Sequence, residues 1–302
     1  MAPRVSIVIP AYNAAAFIGK TLETVAAQTF KDFEVVVVDD GSKDDTKKVV
    51  DWFLSDRKLK GRCVRQENKR IAGARNTGIR ESTADLISFL DHDDLWRPEK
   101  LARSLAELDA HPEADLVCHN EEIVKDGKII GVTKHGPAVP KMHERLIFKG
   151  NTLSPSCVIV KKSKLDRIGG FREDPRFNTV EDYDAWIRLA EVCRFHFFPD
   201  ILGTWIVDPL GASSKVVYHH TNLEAMLRDH FSRLPENGWR TELKKKRRLA
   251  WVWRAAARAL IAQGETASAK SYAFRALTTY PLDWKNPVTA AEWIVAKIKT
   301  AK

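Results

Sequence analysis

The chain of 302 residues contains few cysteines, and no two of its four form a CxxC pair. Such wide spacing argues against structural disulfides and against a zinc site. It fits a protein of a reducing compartment. The four are Cys63, Cys118, Cys157 and Cys193.

Long apolar runs are also missing. No stretch of about 18 apolar residues occurs, so we expect no membrane-spanning helix. The opening residues, MAPRVSIVIPAYN, lead directly into a predicted strand and lack the apolar core and cleavage site of a signal peptide. We therefore expect a cytoplasmic protein.

Glycine-rich phosphate loops are absent as well. AFIGKT has the end of the pattern GxxxxGK[ST], but the first required glycine falls at Ala14. No GxGxxG motif follows a predicted strand and opens a helix. These absences remove the main support for an ordinary kinase or a dinucleotide-dependent dehydrogenase.

Positive charge is abundant but unevenly placed. Residues 1–220 hold 33 basic and 33 acidic side chains, whereas residues 221–302 hold 16 and 7, so the whole net charge of +9 lies in the last part. Because such a change marks a boundary, we predict one domain at 1–220 and a basic, Trp-containing helical region at 221–302.

The first 120 residues alternate short β-branched runs with helical stretches, the pattern of a parallel α/β sheet. Residues 120–180 alternate less regularly and indicate mixed sheet and loops. The predicted strands are Val5–Ile9, Glu34–Val38, Arg62–Glu67, Asp85–Leu90 and Asp115–His119. The predicted helices are Ala14–Gln28, Asp44–Leu54, Ala72–Glu81, Pro98–Ala110 and Glu181–Glu191.

Polar clusters follow three of these strands. They are PAYN at 10–13, DDGS at 39–42 and DHDD at 91–94. In an open parallel sheet, ligands bind beyond the carboxyl ends of the strands. One such cluster is typical of a turn, but three after three strands of one sheet predict a single site.

The DHDD cluster sets three carboxylates within four residues, and like charges repel. Mg²⁺ or Mn²⁺ prefers oxygen ligands, and its charge would offset the repulsion between Asp91 and Asp93. The alternative is a loop in which Asp94 caps the next helix, and the common tripeptide DxD taken alone favours that alternative. Taken alone, the DDGS cluster likewise favours a turn with a helix N-cap.

The segment VEDYDAWIRLA, residues 180–190, sets two carboxylates at the start of a predicted helix. The helix dipole stabilises acids there, so one of Glu181 and Asp182 could simply cap the helix. At helical spacing Asp182 shares a face with Trp186. An acid beside a Trp could serve as a general base.

Six segments, in this order, resemble the family-2 glycosyltransferases of the GT-A fold over about residues 4–215. The resemblance implies an α/β, Rossmann-like GT-A domain with a mostly parallel central sheet, here with a C-terminal helical extension. It also implies a nucleotide-sugar donor, most often a UDP-sugar, a Mn²⁺ or Mg²⁺ ion, and inversion at the anomeric carbon. The segments are VSIVIPAYN, VVVVDDGSKDDT, IAGARNTGI, FLDHDDLWRPEKL, GGF and VEDYDAWIRLA.

The same resemblance assigns roles to individual residues. Asp182 would be the catalytic base with Glu181 as a secondary candidate, and Asp93 would be the direct metal ligand. Family members often carry an Arg-x-His segment further on, but Ile206 and Asp208 stand at those places. Either Asp208 is the second metal ligand, or water and phosphate complete the shell. The donor-binding candidates are Pro10, Ala11, Tyr12, Asn13, Asp40, Arg75, Asp91 and His92.

The basic segment 240–262 contains a Lys/Arg cluster beside Trp251 and Trp253. Such a segment can bind the anionic inner face of a cell membrane. Alternatively, the two Trp side chains pack a helical hairpin and the charges form a solvated face. Nucleic-acid binding is not expected, since no recognised module accompanies the charge.

The leading hypothesis is therefore a bacterial sugar transferase of cell-envelope polysaccharide, lipopolysaccharide or glycoprotein assembly. Its acceptor would be a glycan or a lipid-linked glycan. A catalytically silent membrane-associated scaffold is the first alternative, but a silent relative need not retain both Asp93 and Asp182. The second is a sugar nucleotidyltransferase, which would require a Gly-rich basic loop after the first strand, and PAYNAAAF lacks one.

Overall fold

A computed structural model describes residues 2–207, 215–235 and 238–300. The described part contains nine strands and eleven helices, which confirms the predicted mixed α/β class with a helical C-terminal region. The strands are β1 (Val5–Ala11), β2 (Phe33–Asp39), β3 (Gly61–Arg65), β4 (Leu86–Phe89), β5 (Leu95–Trp96), β6 (Leu116–Lys125), β7 (Lys128–Thr133), β8 (Val158–Lys161) and β9 (Phe195–Ile206). The helices are α1 (Ile18–Ala26), α2 (Thr46–Asp56), α3 (Arg70–Glu81), α4 (Lys100–Ala110), α5 (Met142–Lys149), α6 (Lys162–Arg167), α7 (Glu181–Leu189), α8 (Val216–Arg233), α9 (Gly238–Ala262), α10 (Thr266–Thr279) and α11 (Lys285–Thr300).

All nine strands belong to one sheet of order β3-β2-β1-β4-β8-β6-β9-β5, with β7 beside β6. Strands β1 to β4 pair in parallel, whereas β8 runs antiparallel to both β4 and β6. The carboxyl ends of β1, β2 and β4 therefore meet at one edge. This brings the clusters 10–13, 39–42 and 91–94 to the same edge, as their position after the strands predicts.

Strands β1 and β2 are buried on both faces, which explains why they are almost continuously apolar. All seven residues of β1 and all seven of β2 are buried. One face packs against the apolar side of α1, through Ile18, Leu22 and Val25. On the other face, Ala74 of α3 clusters with two valines of β2.

Strand β9 was not predicted from the sequence. It pairs in parallel with β6, with register shifts next to Asn120, and contains Pro199 and Gly203. Its side chains alternate irregularly between buried and half-buried positions. No period of two is left in the sequence, so hydrophobic patterning alone misses this strand.

The described chain divides into two compact units. Residues up to 207, except 147–150, form the first, and residues 147–150 with those from 215 onward form the second. The predicted boundary at residue 220 lies inside α8. In the second unit, small Ala side chains of α9 and α10 let these helices pack closely, and Gly264, with φ +81°, lies in the turn between them. Among the described residues, no helix is both long and apolar enough to cross a bilayer.

Gly78 allows α3 to lie directly on β1, because a β carbon there would overlap the Val8 side chain. We expect Gly78→Ala to lower the free energy of unfolding by about 1–3 kcal/mol through overpacking. Gly19→Ala in α1 is the matched control, since a β carbon there meets nothing within 4 Å. It should leave stability unchanged or raise it by up to about 1 kcal/mol, the helix preference for Ala. Urea unfolding measures both, and equal effects would contradict the packing argument.

Candidate functional site

The loops that follow β1 and β2 are joined by hydrogen bonds. The Asn13 N–H donates to the Ser42 hydroxyl at 2.9 Å, and the Lys43 N–H donates to the Asn13 side-chain oxygen at 2.8 Å. Asn13 has φ +50°, a backbone conformation that asparagine tolerates better than most residues. These bonds fix the loop that carries Tyr12, whose side chain is 43% exposed at the rim of the site.

The loop after β4 is linked to the end of β1. Pro10 and Ala11 are buried there. His92 Nδ1 lies 3.2 Å from the Pro10 carbonyl oxygen, and since that oxygen only accepts, Nδ1 donates. The Thr21 hydroxyl donates to the His92 carbonyl at 2.8 Å. His92 therefore orients the loop that carries the acidic cluster.

Asp40 is buried at the end of β2, and its carboxylate has a fixed orientation. Oδ1 accepts hydrogen bonds from Gln66 Nε2 at 2.7 Å and from the Lys69 N–H at 2.8 Å. Gln66 is itself held by the Thr77 hydroxyl at 2.6 Å. Gln66 is not predicted as a site residue from the sequence, because QENK resembles an ordinary polar loop. Only the pairing of β2 with β3 brings Gln66 to Asp40.

A buried arginine joins two predicted site carboxylates. Arg75 of α3 is 1% exposed, and its guanidinium contacts Asp91 Oδ1 at 2.7 Å and Glu181 Oε1 at 2.6 Å. It also lies 5.4 Å from the Phe171 ring centroid. Its neighbour Asn76 is structural, since it exchanges two 2.8 Å hydrogen bonds with the Phe171 backbone. The structure thus brings α3, the loop after β4 and the start of α7 together.

The electrostatics of this cluster follow from its burial. Burial raises the pKa of Glu181 to about 7, against the lowering effect of Arg75 and with the help of Asp182. Burial also raises the pKa of Asp182, which again Arg75 opposes and Asp91 reinforces. In the described chain, Glu181 Oε2 has no hydrogen-bond partner. Glu181 and Asp182 are therefore easier to protonate than ordinary surface carboxylates.

Trp186, one helical turn after Asp182 in α7, faces the core. It is fully buried and packs at 6.5 Å from Phe89 and 6.3 Å from Phe171, ring centroid to ring centroid. Its role is to anchor α7 against β4. A helical wheel shows which residues share a face, but not whether that face meets the core or the site.

Asp94 does not cap helix α4, so that alternative for DHDD is wrong. The residue at the N-cap of α4 is Glu99, and Asp94 points inward, accepting a 2.6 Å hydrogen bond from the Ser156 hydroxyl. Burial, and then the charges of Asp91 and Asp93, raise the pKa of Asp94 well above its usual range. A protonated Asp94 lowers the repulsion within the cluster.

The remaining carboxylates of the cluster suit a hard cation. Asp91 and Asp93 are half-buried, and Asp91 has one oxygen engaged with Arg75. An all-oxygen set of this kind fits Mg²⁺ or Mn²⁺. The second predicted metal ligand, Asp208, lies outside the described residues.

Several known proteins are similar to this chain in sequence. The model of the family described as "Glycosyl transferase family 2" matches residues 6–169. An uncharacterised glycosyltransferase of Rickettsia felis is 29% identical over 78% of this chain and 39% of its own length. The amylovoran biosynthesis glycosyltransferase AmsB of Erwinia amylovora is 34% identical over 64% of this chain and 65% of its own length. The chain thus spans less than two thirds of either relative.

Solved structures resemble the chain over nearly its whole length. TarS of S. aureus, in complex with UDP-GlcNAc, has a TM-score of 0.63 at 19% identity and covers 97% of this chain and 92% of its own. The mannosyltransferase PcManGT of Pyrobaculum calidifontis, in complex with GDP-Man and Mn²⁺, has a TM-score of 0.63 at 22% identity, with 99% and 87% covered. At such identities the likeness concerns the fold.

The raised pKa of Glu181 makes stability depend on pH. Because the folded value of about 7 exceeds the ordinary 4.5, the native state binds the extra proton, and this stability is lost as pH rises from about 4.5 to 7. The slope reaches about 1.4 kcal/mol per pH unit. We expect Glu181→Gln to flatten the fall of the unfolding free energy between pH 5 and 7, measured by urea denaturation. Glu67→Gln, an exposed control, should follow the unmodified protein; parallel curves for both variants would contradict the assignment.

Proposed function

The chain belongs to glycosyl transferase family 2 and has the expected GT-A fold, and from this premise we propose that it transfers a sugar with inversion. The donor is a nucleotide-sugar of the UDP class, and the acceptor is a hydroxyl of a glycan, a lipid-linked glycan or a glycoprotein. The observation that carries the proposal is the Arg75 cluster, in which Asp91 and Glu181 meet at the carboxyl edge of the sheet, beside Asp182.

The donor assignment is supported by the loops at the ends of β1 and β2. Tyr12 offers an exposed ring on which a base can stack. Asp40 is a hydrogen-bond acceptor that Gln66 and Lys69 hold in place, which suits the imide N–H of a uracil ring. Pro10, Ala11 and Asn13 shape the backbone around them. TarS in complex with UDP-GlcNAc and PcManGT in complex with GDP-Man support a nucleotide-sugar in this fold.

Asp93, together with Asp91, would hold the divalent ion. When bound, Mn²⁺ or Mg²⁺ neutralises charge on the diphosphate of the donor. Arg75 keeps its proton, because Asp91 and Glu181 raise its pKa although burial opposes this. Its guanidinium orients Asp91 and leaves one carboxylate oxygen of that residue for the donor side.

Asp182 is the base in this proposal. Glu181 has one oxygen engaged with Arg75 and is 4% exposed, so it positions the arginine, whereas Asp182 is half-buried and accessible from the site. A raised pKa makes Asp182 a better proton acceptor for an attacking hydroxyl. Attack on the anomeric carbon from the face opposite the leaving diphosphate inverts its configuration in one displacement.

The alternatives are less well supported. A silent scaffold would need neither the close grouping of Asp91, Glu181 and Asp182 nor the buried arginine that balances their charge. A nucleotidyltransferase would need the basic loop that the Asn13 turn does not provide. The name of AmsB, a transferase of amylovoran biosynthesis, supports assembly of a cell-surface polysaccharide. We place such a reaction on the cytoplasmic face of the membrane.

The second unit offers two exposed surfaces for that membrane. On α9, Arg240, Arg247 and Trp251 share one exposed side at helical spacing, whereas Trp253 is buried and donates to Glu224 at 2.6 Å. On the segment that leads through α11, a stripe of apolar side chains is exposed. Its members are Trp284, Val288, Ile294, Val295 and Ile298.

The charges beside the α11 stripe favour anionic lipid over another apolar partner. Asp283 is paired with Arg254 at 2.6 Å and Glu292 with Arg258 at 3.3 Å. The other charged side chains of the segment 283–298 are the two lysines 285 and 297. An apolar stripe beside cationic side chains and a Trp is typical of helices that lie in a membrane surface.

We expect Asp93→Asn and Asp182→Asn to separate binding from catalysis. Asp93→Asn should abolish Mn²⁺-dependent UDP binding, measured by calorimetry, because the metal loses its carboxylate ligand. Asp182→Asn should bind UDP and Mn²⁺ as the unmodified protein does, yet slow transfer by about 10²–10⁴-fold, the usual worth of a general base. A thermal-shift panel of nucleotide-sugars with Mn²⁺ identifies the donor for this assay. Metal-dependent UDP binding by Asp93→Asn, or undiminished turnover by Asp182→Asn, would contradict the assigned roles.

Membrane binding is tested with the full chain and vesicles of phosphatidylcholine with or without phosphatidylglycerol. Arg240→Glu with Arg247→Glu should weaken binding to the anionic vesicles about tenfold or more, since each basic residue contributes about 1 kcal/mol. Trp284→Ser with Ile298→Ser should weaken it similarly. Ile129→Ser with Ile130→Ser, which alters exposed isoleucines of β7, is the matched control. Equal binding by all variants would contradict docking through the second unit.

A further inference from the structure

A second cluster of metal-ligating side chains lies in the first unit, outside the proposed sugar-transfer site. Glu121 of β6, His135 after β7 and Cys157 before β8 converge there, with ligand atoms within 4.8 Å of one another. His135 Nε2 lies 3.3 Å from Glu121 Oε1, and the Cys157 thiol lies 3.1 Å from Glu121 Oε2. In a tetrahedral zinc site, neighbouring ligand atoms are about 3.4 Å apart, and both contacts of Glu121 lie close to that value.

The hydrogen bonding of His135 calls for positive charge between it and Glu121. Its Nδ1 lies 3.1 Å from the Thr152 carbonyl oxygen, which only accepts, so Nδ1 carries a hydrogen. In the neutral ring, Nε2 then presents a lone pair to a carboxylate oxygen that also presents lone pairs. Both side chains are 4% exposed, so water does not relieve this contact. A proton shared between the two side chains or a metal cation relieves it. A metal-binding histidine commonly donates its other N–H to a backbone carbonyl in this way.

His119 supplies an independent observation. It is fully buried, and its Nδ1 donates to the Asn120 carbonyl at 2.8 Å, so Nε2 is again a lone pair. Within the described chain, no hydrogen-bond partner reaches that Nε2. His119 and Cys157 border the same small space over Gly203, where a β carbon would lie 3.3 Å from His119 Cε1 and 3.8 Å from Cys157 Sγ. Burying an imidazole nitrogen without a hydrogen-bond partner costs free energy, which a water molecule or an ion beside it would offset.

We propose that Glu121, His135 and Cys157 bind one Zn²⁺ ion, with a water molecule as the fourth ligand and His119 Nε2 as the acceptor of a hydrogen bond from that water. Thiolate and imidazole select zinc over the Mn²⁺ or Mg²⁺ of an all-carboxylate site. Binding replaces the thiol hydrogen of Cys157, which leaves as a proton. Zn²⁺ with one thiolate, one carboxylate, one neutral imidazole and one water is uncharged overall, as a buried site requires. The ion fastens the segment from 135 to 157 onto strand β6, next to the Ser156 that holds Asp94.

The metal content and the cobalt spectrum of the full chain test this proposal without any assay of sugar transfer. A failure of the zinc proposal is therefore distinguishable from a failure of the proposed function. Protein purified without chelators should contain about one zinc per chain by mass spectrometry of the metal, as three protein ligands imply. After removal of the metal, added Co²⁺ should give a thiolate-to-cobalt absorption band in the near ultraviolet. Excess Mg²⁺ should not displace it.

Matched variants locate the ion. Cys157→Ser should remove the cobalt band, and His135→Gln and His119→Gln should each lower the affinity for zinc at least about tenfold, as loss of a ligand or of a hydrogen-bond partner of a ligand does. Cys63→Ser, which alters a half-buried thiol of β3, should retain both. Zinc content far below one per chain together with no cobalt band in the unmodified protein would overturn the proposal, whether or not the variants fold. So would zinc retained by Cys157→Ser and His135→Gln.

Discussion

The buried guanidinium of Arg75 is the constraint on which the donor side of the molecule depends. Burying an arginine is tolerable only when carboxylates accept its charge, and breaking such a pair typically costs about 3–5 kcal/mol. Asp91 and Glu181 accept it from two different elements. The two carboxylates in turn need the positive charge of the guanidinium, since like charges this close would otherwise favour protonation of one carboxylate. The fold and the chemistry of the site therefore rest on the same three side chains.

Much of the fold was predictable, because its signals are local. The apolar runs of β1 and β2 lie within seven residues each, and the polar clusters follow them directly. The edge of a parallel sheet then brings those clusters together without further information. Glu181 could also be located, because two acids at the start of a helix form a recognisable pattern. The resemblance to family-2 glycosyltransferases supplied the roles that spacing alone left open.

What the sequence could not predict depends on pairings between distant segments. Gln66 reaches Asp40 only because β2 and β3 pair, and Trp186 turns to the core only because Phe89 and Phe171 receive it. The absence of CxxC pairs argued against zinc, yet Glu121, His135 and Cys157 meet through strand pairing rather than through spacing. In the second unit, periodicity sets Trp251 and Trp253 on different sides of α9 without saying which side is covered.

The long separation between Arg75 and its second carboxylate has a consequence for synthesis. Strands β1 to β4 all lie within residues 5–89, so this half of the sheet can assemble on the ribosome while later segments are still being made. Glu181 emerges 106 residues after Arg75. Until then the arginine has only Asp91 and must keep its water. Packing of α7 onto the sheet is thus the step that removes water from the Arg75 guanidinium. In a nascent chain interrupted before residue 181, that guanidinium would remain hydrated and lack its second carboxylate.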